Sequence, residues 1–282
     1  MAKTKLKPGL NPGVPASIYH AFDAVSNSQL CRLAKSPAHY RSYMDHPEEK
    51  TDAMIFGSAL HAYILEPDNF DLEFCARPMG LDLRRKEDKE FFEQFKKKHE
   101  GKQIIKGEEY EICQHMRAAA MQHPLVNELL GSDGHTELSI LWNIDDILCK
   151  ARVDRYVMWR NKPTIVDLKT TTDASMRGFA KSMYAYRYYQ QAAMYLDGMS
   201  AIQGYDHSTF IFIAMEKEPP FAIGIYEIDD QALQAGRQEY QRLLALHRHC
   251  TQTQQWPSYA SENPELITLP IWAFTDLEIE LV

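Results

Sequence analysis

Helical spacing governs the first half of this chain, and a period of two takes over near Glu137. Ser26-Asn-Ser28 can cap a helix carrying Leu30, Leu33 and Ala34, which Ser36-Pro37 ends or redirects. A second helix is predicted from about Asp52 to Leu65, with Met54, Ile55, Ala59, Ala62 and Tyr63 to bury, and Pro67 closes it. Residues 84 to 123 are predicted helical and strongly charged, broken near Gly101 and Gly107. Glu108 to Gln122 offers Tyr110, Ile112, Cys113, Met116 and Ala120 for packing, and Pro124 starts a short helix ending at Gly131.

From Glu137, Leu138, Ile140 and Trp142 alternate with their neighbours; Asp145-Asp146 makes a turn, and Leu148 to Tyr156 returns as a second strand. Pro163 to Thr170 is a third strand, in which Val166 and Leu168 face a core while Asp167 and Lys169 share the other side. A Tyr- and Ala-rich helix follows over Ala180 to Met199, stopped near Gly198. Strands at Thr209–Met215 and Phe221–Ile228 precede a long helix that Asp229-Asp230 opens and that runs to about His249. This order predicts an α/β core, a central mixed sheet flanked by helices, with a helical N-terminal region. Residues 1–25, punctuated by Pro8, Pro12 and Pro15, read as a flexible arm, and 26–282 as one domain with 84–131 as a charged helical segment or insertion.

Apolar residues make up 45% and charged residues 25%, the balance of a globular protein. There is no run of about 18 apolar residues and no signal peptide, so no membrane association is expected. The five cysteines are scattered, without CxxC spacing, which suits a reducing cytoplasm. A net charge of −8 argues against nonspecific nucleic-acid binding by the molecule as a whole. The local run of Arg84, Arg85, Lys86, Lys89 and Lys96 to Lys98 is interleaved with acids, as on a solvated helix face.

Candidate chemistry centres on Asp154, Asp167 and Lys169. Two strands and a tight turn separate the aspartates, so both carboxylates and the ammonium can converge. Hard divalent cations take carboxylate and water oxygens and keep positions open for a substrate phosphate. A lysine there can orient water or neutralise charge developing on phosphorus. A surface ion pair at a strand end would be spelled the same way. His61, one helical turn after Gly57, offers an imidazole ligand or a half-buried core histidine, and Gly57 would permit close approach of backbone or DNA. Gln191 and Tyr195 lie four apart on one helix face, and Glu137 at the start of the first strand could point into the same site. No phosphate loop, GxGxxG, HExxH or GxSxG occurs, which sets aside nucleotide-driven and serine-hydrolase chemistry.

In order, Gly57-Ser-Ala-Leu-His61, Val153-Asp154, Asp167-Leu-Lys169 and Gln191-Ala-Ala-Met-Tyr195 resemble the motifs of the PD-(D/E)xK nuclease superfamily, specifically its RecB-like branch. Within it, Phe56-Gly-Ser-Ala-Leu-His-Ala-Tyr-Ile-Leu-Glu-Pro67, Val166-Asp-Leu-Lys-Thr-Thr171 and Tyr188-Tyr-Gln-Gln-Ala-Ala-Met-Tyr195 look like the nuclease domain of the exonuclease VIII (RecE) family. Ser26-Asn-Ser-Gln-Leu30 and Ser36-Pro-Ala-His-Tyr40 add to that likeness, which spans residue 20 to Trp256-Pro257. Some relatives hold an iron–sulfur cluster on one early cysteine and three late ones; only Cys250 follows Tyr195 here, so no cluster is expected.

The resemblance implies a Mg²⁺-dependent exonuclease, with Mn²⁺ able to substitute, that digests one strand of double-stranded DNA processively from its 5′ end. It also implies a toroidal homotetramer and a single-strand annealing recombinase as partner in phage-type recombination. Its motif positions assign His61, Asp154, Asp167 and the Leu168 carbonyl to the metal, Lys169 to the water, and Gln191 and Tyr195 to supporting or phosphate contacts. An endonuclease of the same fold and a non-hydrolysing DNA-binding protein are the rival readings.

Overall fold

The computed structural model describes residues 6–46, 50–259 and 263–270. In chain order the first half contains β1 (Gly9–Asn11), α1 (Ala16–Ala21), α2 (Asn27–Lys35), α3 (Pro37–Asp45), α4 (Asp52–Leu65), α5 (Pro67–Glu73), β2 (Phe74–Ala76), α6 (Lys86–Lys98), β3 (Gln103–Ile105), α7 (Gly107–Gln122) and α8 (Pro124–Gly131). Then come β4 (Gly134–Ile144), β5 (Ile147–Trp159), β6 (Lys162–Thr171), α9 (Met176–Ala185), α10 (Tyr188–Gln203), β7 (Thr209–Glu216), β8 (Ile223–Glu227) and α11 (Asp230–Thr253).

Six strands form one sheet in the order β1-β4-β5-β6-β7-β8, and only β6 and β7 run parallel. The sheet is mixed and flanked by helices, as the alternation of patterns predicts. On one face α10, α11 and α2 bring Ala192, Leu196, Leu243 and Leu30 against Ile140, Trp142, Ile165 and Phe212. On the other, α4, α7 and α8 bring Leu60, Met116 and Leu129 against Val166, Leu168 and Ile213. Covered on both sides, β7 is buried from Thr209 to Met215, which is why it reads as a continuous apolar run rather than an alternating one.

The sheet is not continuous along its length. β5 and β6 pair only from Arg155↔Val166 to Trp159↔Lys162; past Arg155, β5 continues with β4, its other edge taken farther on by a bridge from Val25 to Cys149, while β6 continues with β7. The strands part there, leaving a fork with Asp154 on one prong and Asp167 on the other.

Several elements differ from the sequence reading. The helix expected over Ala180–Met199 is two, because Arg187 adopts a left-handed backbone (φ 57°) and breaks it between α9 and α10. Gly198 does not stop α10. A Cβ there would lie 2.8 Å from the Trp142 ring, so this glycine admits a close approach, and the helix ends at Gly204 in the left-handed region.

Residues 1–5 lie outside the described residues, but from Leu6 the expected arm is packed. β1 pairs with β4, and Leu6, Val14 and Tyr19 are buried against Leu141. Much of the fastening is polar and so invisible to apolar patterning. The buried Lys150 ammonium donates to the carbonyls of Tyr19, His20 and Phe22, at 3.0, 3.3 and 2.6 Å, at the end of α1. Within the charged segment 84–131, α6 buries nothing, but α7 and α8 are layers of the core.

Candidate active site

At the fork the Leu168 amide donates to Asp154 Oδ2 at 2.8 Å, a clasp across the gap where no ladder bond remains. His61 reaches the same oxygen from α4, its Nδ1 lying 3.4 Å away. Glu137 arrives from the opposite side of β5. The β4–β5 register passes from Thr136↔Arg155 to Leu138↔Val153 with no pair at Glu137, whose φ is 50°. A left-handed conformation at a non-glycine residue in mid-strand is strained, a feature that clusters at functional sites. One ligand atom from each of His61, Glu137 and Asp154 lies within 4.8 Å of the other two.

The second prong supplies Asp167, 2% exposed. Its Oδ1 accepts from Gln191 Nε2 at 2.6 Å. Its Oδ2 is ion-paired with Lys169 Nζ at 2.7 Å and has no other partner among the described residues. Lys169 in turn sits over the Tyr188 ring, 4.7 Å from its centroid. Tyr195 is buried one turn below Gln191, near the Arg152 backbone, under the two aspartates.

Electrostatics follow from this crowding. Burial, reinforced by Asp167 and opposed by Lys169, pushes the Asp154 carboxyl up to about 7. Burial, reinforced by Asp154 and opposed by Arg152, pushes Glu137 up to about 7 as well. Burial holds the His61 imidazole below its usual range, Lys169 acting the same way against the pull of Glu137 and Asp167. For Lys169, burial alone would lower the ammonium, but Asp167, Asp154 and Tyr188 together outweigh it and the net direction is up. Burial first, then Tyr19 and the two aspartates, lifts Tyr195 well above the ordinary phenol range.

Three carboxylates therefore crowd against one ammonium and one guanidinium, and burial makes it costly for all three to ionise together. Two carboxylates and an imidazole within 4.8 Å of one another, with the Asp167 carboxylate beside them, fit a hard divalent cation. The structure brings together every residue singled out from the sequence: His61, Glu137, Asp154, Asp167, Lys169 and Gln191 directly, Tyr195 beneath them. The Leu168 amide, which the sequence reading did not single out, is part of the arrangement. Two residues were missed. Arg152 pairs with Glu137 while donating to the Val14 carbonyl at 2.7 Å, tying the N-terminal segment to the site. Tyr188 backs Lys169. Each had a signal: Arg152 precedes Asp154 by two on a strand, and Tyr188 precedes Gln191 by three on a helix. Beside Glu137 and Arg152 a cavity of about 250 Å³ opens between the Gly13–Pro15 loop and the α4–α5 corner.

Gly57 lies one turn before His61, and a Cβ built on it would meet nothing within 4 Å. The glycine is therefore not required by packing inside this chain.

The fold is that of a PD-(D/E)xK-like domain. The chain belongs to the family described as a PDDEXK-like domain of unknown function (DUF3799), which matches residues 26–270. A crystal structure from Eubacterium rectale, of a protein described as a "putative exonuclease", is similar over 95% of this chain and 99% of its own, with a TM-score of 0.62 at 14% identity. At that identity the likeness speaks for the fold. A solved structure of SSO0001 covers 69% of this chain and 85% of its own at 16% identity, with a TM-score of 0.30 that carries no argument. No curated protein matches the chain. Among the described residues no helix is long and apolar enough to cross a membrane.

Proposed function

We propose that this chain is a divalent-metal-dependent exodeoxyribonuclease, a single nuclease domain over residues 26–282 that digests linear double-stranded DNA, with Mg²⁺ as its ion and Mn²⁺ able to substitute. The observation that carries the reading is the fork itself. Asp154, Asp167 and Lys169 converge there, with Asp167 ion-paired to Lys169 and with His61 and Glu137 close by.

Asp154, Asp167, His61 and the Leu168 carbonyl would hold the ion, and Glu137 is placed to join them. Bound there, a divalent ion supplies Lewis-acid stabilisation of the phosphoryl charge and lowers the pKa of water. Lys169, kept charged by Asp167 and Asp154, positions the attacking water and offsets charge growing on the phosphate oxygens. Gln191 fixes the Asp167 carboxylate by its 2.6 Å hydrogen bond, so the oxygen facing the substrate keeps its direction. Tyr195 supports the floor beneath both aspartates.

The motif words shared with exonuclease VIII favour exonuclease action, 5′ to 3′ and processive. They extend the proposal to a toroidal homotetramer working beside a single-strand annealing recombinase. Asp167→Ala or Lys169→Ala abolishes Mg²⁺-dependent release of nucleotides from end-labelled linear duplex while the circular-dichroism spectrum is kept. Activity near wild type in either variant defeats the assignment. Covalently closed circular duplex stays intact under the same conditions; its cleavage would make the enzyme an endonuclease.

A further inference from the structure

Tyr184 and Tyr186 are 77% and 64% exposed, unusual for two aromatic rings two residues apart and beside a buried catalytic cluster. Neither ring is loose. Tyr184 stacks on Tyr189 with centroids 6.4 Å apart and planes within 9°, and Tyr186 stacks on Tyr188 at 5.6 Å and 26°. Tyr188 is the ring beneath the Lys169 ammonium. The centroid distances of 4.7 and 5.6 Å therefore place the Tyr186 ring no more than about 10 Å from Lys169, roughly three base steps at 3.4 Å each.

The backbone holds this arrangement at a cost. Arg187, left-handed and paired with Glu239, breaks the helix directly after Tyr186. On α9, Arg177, Lys181 and Tyr184 share one exposed face at spacings of four and three. Exposed rings for bases and cations for phosphates, close in the chain to the ring that backs the lysine, are the pattern of a single-strand path.

We propose that Tyr184 and Tyr186 form a base-stacking platform that takes the unpaired nucleotides of the scissile strand as it leaves the duplex, so that the substrate is engaged as a frayed or single-stranded end. The occupant is a nucleic-acid strand because the Tyr186 ring is continuous, through Tyr188, with the phosphate-handling lysine, and Tyr184 lies two residues before it. This rests on the nuclease reading for its substrate, but its test does not need catalysis.

On the Asp167→Asn background, which separates binding from cutting, the affinity of the full chain for a fluorescein-labelled oligothymidylate is measured by anisotropy in Mg²⁺. Base–aromatic stacking predicts that Tyr184→Ala and Tyr186→Ala each weaken binding roughly five-fold to a hundred-fold and the double variant more than either, that Tyr186→Phe keeps the ring and most of the affinity, and that a blunt duplex is affected less than one with a short unpaired end. A double variant that binds the oligonucleotide as tightly as its parent overturns the platform. Digestion of linear duplex by the unmutated chain, run in parallel, keeps the two readings apart. Normal digestion with unaltered binding by the double variant removes only the platform. Weakened binding with no digestion by the unmutated chain removes only the nuclease.

Discussion

Replacing Asp154 with Asn removes one negative charge from the fork but keeps an oxygen able to accept from the Leu168 amide, which now donates at 2.8 Å. The structure sets the size of the effect. In the folded chain the Asp154 carboxyl is pushed from 3.8 up to about 7, so the native state binds its proton more tightly than the unfolded state does. A raised carboxylate makes stability fall as pH climbs from the unfolded value to the folded one, at about 1.4 kcal/mol per unit, and the loss is complete above it. The ceiling is about 4 kcal/mol for this one group. Without divalent ion, the wild-type chain should therefore be less stable at about pH 8 than at about pH 5. Asp154→Asn should lose about half of that slope, the remainder belonging to Glu137, which titrates over the same window. At about pH 8 the variant should be more stable than wild type by roughly 1–4 kcal/mol. Mg²⁺ should stabilise the wild type and leave the variant unchanged, and DNA digestion should vanish. Urea melts at the two pH values, with EDTA or Mg²⁺, read all of this. A metal-free variant less stable than wild type at the higher pH, or a wild type indifferent to pH, refutes the account of a fork strained by its own charge.

Gln191→Leu leaves the buried Asp167 Oδ1 without its donor and should lower the digestion rate by about ten- to a hundred-fold; an unchanged rate would show that Asp167 needs no orienting partner. Gly57→Ala should stabilise α4 by about 1 kcal/mol, because a helical glycine is replaced where nothing obstructs a Cβ, yet weaken DNA digestion. Full activity in that variant means substrate does not approach this face. Lys150→Met strips three carbonyls of their donor and should destabilise the fold by roughly 1–3 kcal/mol, with earlier proteolytic cleavage within residues 6–25. A digestion pattern identical to wild type would mean the packing around Tyr19 suffices to hold that segment.

What sequence alone determined is local. The helix over Asp52–Leu65 is capped by Thr51, whose side chain accepts from the Met54 amide, and it has the predicted bounds, but its buried face is Phe56, Ala59, Leu60 and Ile64, while Met54, expected inside, is exposed. The sides taken by Val166 and Leu168 against Asp167 and Lys169 follow from a two-residue period, which a strand cannot evade. Motif residues could be named in order because each depends on spacing within one strand or one helix.

Tertiary structure decided the rest. Whether Gly198 stops a helix or admits Trp142 depends on what packs across the sheet, and no window of α10 contains that partner. Whether residues 6–25 float or dock depends on Lys150 and Arg152, polar side chains whose partners are backbone carbonyls about 130 residues away. Only the parting of β5 from β6 makes one site of two aspartates on adjacent strands. There the ladder ends, and helices from both layers reach the same point, His61 from one and Gln191 from the other. Where a sheet splits is set by competition among pairing partners over the whole fold, and a strand's own residues carry no record of it.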